Sequence, residues 1–155
     1  MDPTPITSRG YQTLKKELKY LKSVERPQNI KAIEEARAHG DLSENAEYEA
    51  AKDRQGFLGR RISELEYKLC NAEIIDPESI PKDRALFGCT VILKNIQTGE
   101  NVEYQLVGPD ESNITEGRIS VVSPLGKAII GKKPEDEIVL KTPGGKRIYE
   151  LVEIK

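Results

Sequence analysis

The chain has 155 residues, 32% of them charged, 37% hydrophobic, with no Trp and only two Phe, which allows one ordinary domain or two small ones without a large aromatic core. A net charge of −2 excludes global attraction to nucleic acid, so any such contact has to come from local patches. No apolar run of 18 residues and no signal-peptide order at "MDPTPITSRG" point to a cytoplasmic protein without membrane contact; Cys70 and Cys89, with a single His, fit two plain thiols rather than a zinc site.

From residue 8 to about 74 the pattern is helical. Tyr11, Leu14, Leu18 and Leu21 recur at steps of 3 and 4, and Ile30 and Ile33 resume the stepping. Pro27 lies between them, removing one backbone donor and predicting a kink or short break with a register shift. A second run, Tyr48, Ala51, Gln55, Leu58, Ile62, Leu65, Leu69 and Ala72, forms a heptad seam with only Gln55 polar. Between the runs, "HGDLSEN" offers Gly40 as a left-handed C-cap and Asp41 or Ser43 as the N-cap of the second helix. So short a connection requires an antiparallel hairpin with arms of about 30 residues, roughly 45 Å long.

After "NAEIIDPESIPKD" the helical period stops. Strand-like runs follow, "CTVIL", "NVEYQLV", "RISVV", "EIVLK" and "KRIYELVEI", separated by "TGE", "GPDES" and "TPGG". One helical segment intrudes, "SPLGKAIIG", with Ser123 as N-cap and Pro124 at the first helical position. The chain therefore reads as α+β: an antiparallel coiled-coil hairpin over residues 1–75 with its tip near 40–45, a linker at 76–82, and a small α+β domain over 83–155.

Charge is unevenly distributed along the hairpin. Residues 34–53 carry seven acidic and two basic residues, while the rest of 1–75 carries six acidic and eleven basic. An acidic tip repels phosphate and becomes useful beside nucleic acid only with a divalent cation between them. Asp41 and Glu44, three apart, can converge on one point, but two carboxylates are half of a Mg²⁺ shell; another macromolecule has to complete it. The same Asp41-x-x-Glu44 spacing also fits a capping box. Lys15, Lys19, Lys22 and Arg26 form either a basic track or a solvated face, and His39 is assigned no role.

Three separated motifs carry a family resemblance. "EEARAHGDLSENAEYEAAKDRQG" resembles the tip signature of the bacterial Gre transcript-cleavage factors, GreA type. "ITSRGYQTLKKELKYLKSVERP" resembles their first helix, and "ISVVSPLGKAIIGKKPEDEIVLKTPGG" their globular-domain signature. The resemblance implies an FKBP-like C-terminal domain that docks on bacterial RNA polymerase, with the finger entering the secondary channel of a backtracked enzyme. It implies that Asp41 and Glu44 help hold a Mg²⁺ shared with the polymerase, none being bound stably by the free protein. Arg37 and Lys52 match a basic patch beside the extruded RNA 3′ end, and Ser123 and Pro124 fall in the polymerase-docking segment. The implied activity is stimulation of the polymerase's own cleavage of the nascent RNA, releasing fragments of two or three nucleotides. The chain is then not an enzyme in its own right, and a monomer is expected. The alternative is a Gre-like channel-binding regulator that inhibits the polymerase. A prolyl isomerase is disfavoured by an aromatic-poor C-terminal half, and a plain coiled-coil scaffold leaves the polarised charge unexplained.

Overall fold

A computed structural model describes residues 3–39 and 45–155. The chain divides into two compact units. One holds Tyr11–Ala72 together with the N-terminal residues up to Thr4; the other holds Pro5–Gly10 and Glu73–Lys155.

The helical unit contains most of α1 (Ser8–Tyr20), a π-helical turn (Leu21–Glu25), α2 (Arg26–Arg37) and α3 (Ala46–Cys70). Of the kink or short break expected at Pro27, the break is absent, and the chain stays helical through a π-helical turn. Tyr20, Glu25 and Arg26 all keep right-handed helical backbone angles, and the Arg26 N–H donates to the Leu21 carbonyl five residues back. A widened turn ahead of Pro27 accommodates a ring that would strike the preceding turn of a regular α-helix. The expected register shift thus takes the form of one inserted residue. Leu14 and Leu21 are buried before it, and Asn29, Ile33 and Ala36 after it, while Ile30 is left 47% exposed.

The opposing seam is Ala51, Leu58, Ile62 and Leu65, all buried. Cross-links show the arms to be antiparallel, because numbers rising on one arm meet numbers falling on the other. Arg61 donates twice to Glu17 (2.6 and 2.8 Å), Arg54 to Glu25 (3.0 Å), and the Asn29 carboxamide to the Ala51 carbonyl (2.9 Å). The bond to Glu17 raises Arg61 above the usual guanidinium range. Lys68, then Arg61, hold the Glu64 carboxylate below its ordinary value, so its contribution is present at neutral pH and is lost as pH falls through that lowered value.

Helix α3 ends at Cys70, earlier than its periodicity suggested. The Asn71 side chain turns back to the Tyr67 carbonyl at 2.9 Å, and Ala72–Ile75 becomes strand β2. It pairs with β1 (Thr4–Thr7) in a two-stranded sheet that the sequence pattern did not reveal. Thr7 caps α1 by accepting from the Gly10 N–H at 3.1 Å. The Thr7 hydroxyl and N–H in turn donate to the Glu111 carboxylate, which sits against Gly10 so closely that a Cβ there would overlap it.

The second unit is built on a five-stranded sheet: β3 (Thr90–Asn95), β4 (Asn101–Val107), β5 (Arg118–Ser120), β6 (Glu137–Thr142) and β7 (Gly145–Ile154), in the order β5-β4-β3-β7-β6. All neighbours are antiparallel except β4 and β5. Alternate residues point inward, and Val91, Leu93, Leu106, Ile138 and Leu151 form the core with Ile119 of β5 and Ile129 of α4 (Pro124–Ile129). These five strands and the helix occupy the segments expected of them, although "RISVV" leaves the sheet at Ser120 to turn into α4.

Two glycines give opposite predictions. Gly59 lies inside α3 with open space around a Cβ, so Gly59→Ala is expected to stabilise the helical unit by about 1 kcal/mol, read from its urea midpoint. At Gly126 a Cβ would stand 2.0 Å from the Ser120 carbonyl oxygen, so Gly126→Ala is expected to destabilise the sheet unit by roughly 1–3 kcal/mol in the same assay.

Candidate functional site

The distal end of the hairpin is formed by the last turn of α2 and the first turn of α3. Helix α2 closes with the Ala38 N–H on the Glu34 carbonyl (3.2 Å) and the His39 N–H on that of Ala36 (3.2 Å). Helix α3 opens at Asn45, whose Oδ1 accepts from the Tyr48 N–H at 3.1 Å. Its Nδ2 donates to the Ala36 carbonyl at 2.7 Å, and Ala36 is 2% exposed. One side chain therefore caps the second helix and ties it to the end of the first.

This corrects the cap assignment. The sequence pattern placed Asp41 or Ser43 at the head of α3, and Asn45 holds that position. An amide can accept from its own helix and donate across to the other at once, which a carboxylate cannot. The position three residues after the cap is Tyr48, so α3 is not headed by an Asp41–Glu44 capping box. Asp41 and Glu44, with Gly40 and its expected C-cap, lie outside the described residues. Glu47 and Glu49 occupy the first turn of α3, where the helix dipole favours them, and Glu47 faces His39 at 3.8 Å.

Arg37 and Lys52 are both exposed, and each follows a buried seam residue, Ala36 and Ala51, by one position. In an antiparallel pair that offset places both on the same flank of the hairpin. The Ala36–Asn45 and Asn29–Ala51 bonds fix their levels, eight to nine residues or roughly 13 Å apart along the axis. Lys52 reaches Gln55 at 2.8 Å. Among the described residues no cluster of three or more His, Cys, Asp or Glu is placed to hold a metal.

In the sheet unit, Ser123 is occupied structurally. Its Oγ accepts from the Gly126 N–H at 3.1 Å and donates to the Ser120 carbonyl at 2.6 Å, capping α4 as its position before Pro124 suggested. Pro124 is exposed, as are Val122 (56%), two residues before it, and Ile130 (38%), just past the end of α4. The exposure of the latter two is something sequence reasoning missed, because a Val in a strand-like run and an Ile in a helix-like run both read as core. Asn45 and Asn29 were missed too, being polar residues in positions where the pattern marks loop and solvent.

Two family profiles cover nearly the whole chain: "Transcription elongation factor, N-terminal" over residues 4–74, and "Transcription elongation factor, GreA/GreB, C-term" over residues 80–155. The chain is 55% identical to transcription elongation factor GreA of Syntrophus aciditrophicus, over 99% of this chain and 96% of that protein. It is 53% identical to GreA of Neisseria meningitidis, over 100% and 99%. Among solved structures it is similar to GreA factor homolog 1 of Thermus thermophilus, with 32% identity, 99% of each chain covered and a TM-score of 0.44.

Replacing Asn45 by Ala removes a cap and an inter-helix tie together. Asn45→Ala is expected to lower the stability of the helical unit by about 1–2 kcal/mol. Asn45→Asp, which keeps the acceptor and loses the donor, should recover part of it. Circular dichroism during urea unfolding measures both.

Proposed function

We propose that this chain, which belongs to the GreA/GreB family of transcription elongation factors, acts on backtracked bacterial RNA polymerase in the cytoplasm and stimulates the polymerase's own cleavage of the extruded RNA 3′ end. In this reading the hairpin is a rigid arm that carries its distal carboxylates into the secondary channel, and the sheet unit docks at the channel mouth. The reaction takes place in the polymerase, and this chain lends groups to it.

One observation supports the reading above the others. Asn45 satisfies the first turn of α3, so the helix does not require Asp41 or Glu44 for that amide. Their chemistry suits a hard divalent cation: two oxygen donors, too few for a closed site and sufficient for a shared one. Asp41 and Glu44 would help hold the second of two Mg²⁺ ions and orient the attacking water, the polymerase holding the first; one ion would favour the nucleophile and the other the leaving oxygen. Arg37 and Lys52, on one flank and roughly 13 Å apart along the arm, would hold the backbone of the extruded RNA through its phosphates. Ser123 would act indirectly, by capping α4 and so holding Pro124, Val122 and Ile130 in place for docking.

The two roles are separable by mutation. Asp41→Ala and Glu44→Ala are expected to lower stimulated cleavage by at least ~100-fold while polymerase affinity stays near wild type. Pro124→Ala together with Val122→Ser is expected to weaken binding first, with cleavage recovered at high factor concentration. Loss of binding in the Asp41 and Glu44 variants, or normal affinity in the Pro124/Val122 variant, contradicts these roles.

A further inference from the structure

Several charges along the hairpin are paired. Glu17 meets Arg61, Lys22 meets Glu66, Glu25 meets Arg54, and Glu64 meets Lys68. The outer face of α1 carries a cluster of cations that is not paired. Lys15, Lys16 and Lys19 form no ion pair among the described residues, and Lys19 stands four and three positions from the other two, where like charges repel and weaken a helix. With Gln12, Leu18, Lys22 and Ser23 of the same helical stretch they line a shallow, open groove of about 570 Å³. Its lining is mainly apolar, formed by Leu18 and the methylene stems of the lysines, with the ammonium groups around it.

We propose that this groove is a docking surface for an acidic, amphipathic segment of a protein partner. On the reading given above, from which the partner's identity is taken, that segment belongs to RNA polymerase. Charge complementarity supplies the sign: three cations without anionic partners are stabilised when carboxylates approach, and their mutual repulsion is relieved. The apolar floor indicates a polypeptide. Single-stranded nucleic acid draws much of its affinity from stacking on aromatic rings, and no aromatic residue lines the groove. Leu18 and the lysine stems instead match the apolar side of a peptide whose other side carries Asp or Glu.

The test compares the full chain with the triple variant K15E/K16E/K19E in binding to bacterial core RNA polymerase at low and moderate salt. Wild-type affinity is expected to fall as salt rises, and the triple variant to bind at least about tenfold more weakly at low salt with a flatter salt dependence. K15Q/K16Q/K19Q removes the charges without reversing them and should be intermediate, with helicity by circular dichroism equal to or above wild type. Wild-type affinity in both variants overturns the proposal. Unchanged polymerase affinity with loss of photocrosslinks from 4-thiouridine in the extruded RNA also overturns it, assigning the lysines to nucleic acid. If the wild-type chain itself fails to bind polymerase, the functional reading falls and this inference falls with it. A negative result confined to the variants leaves the functional reading standing.

Discussion

The register between the two helical arms is set by asparagines reaching across the seam. An apolar heptad seam supplies the driving force for pairing but discriminates poorly between neighbouring registers, since Leu, Ile and Ala accept one another at many offsets. Asn29 is 7% exposed and must bond to something; the Ala51 carbonyl, offered at 2.9 Å, is the partner that avoids the cost of an unsatisfied buried amide. Asn45 repeats the device at the end of the hairpin, bonding to Ala36. With these two contacts in place the ion pairs Glu17–Arg61 and Glu25–Arg54 fall into line. Arg37 and Lys52 then come to share a flank. The π-helical turn before Pro27 belongs to the same arrangement, because without its extra residue Asn29 would not face the seam.

The sheet unit solves a different problem, that of presenting a small surface rigidly. Helix α4 has only six residues and could not hold itself as an isolated helix. It is held by Ile129 in the core, by the Ser123 cap, and by the contact of Gly126 with the Ser120 carbonyl, where no side chain fits. Pro124 and Val122 are thereby fixed on a short turn over a closed core. A family that acts in transcription elongation thus combines, in this chain, a long arm whose end carries charge and a compact unit whose exposed apolar residues sit beside a helix cap.

Much of this was legible in the sequence for identifiable reasons. Helical and strand periods are properties of the chain alone, so both long helices and the five strands of the main sheet could be placed. Ser followed by Pro ahead of an apolar turn is a local capping signal, and Ser123 behaves accordingly. What escaped depends on contacts distant in sequence. Strands β1 and β2 have four residues each and exist because they pair with one another. Ile30 looked like a seam residue until the π-helical turn moved the phase past it. Asn45 outcompeted Asp41 and Ser43 as cap because of a carbonyl on the other helix, which no local pattern contains. The pair Asp41 and Glu44, the centre of the functional reading, was found from spacing and charge, both properties of the chain alone.

The most direct test is RNA cleavage in a stalled, backtracked bacterial elongation complex with 3′-labelled transcript and Mg²⁺, followed with and without the wild-type chain. The account predicts rapid release of short 3′ fragments only when the chain is present, with elongation resuming once nucleotides are added. Binding of the chain to the same complex with no acceleration of cleavage would contradict it and would assign the chain to inhibition of the polymerase.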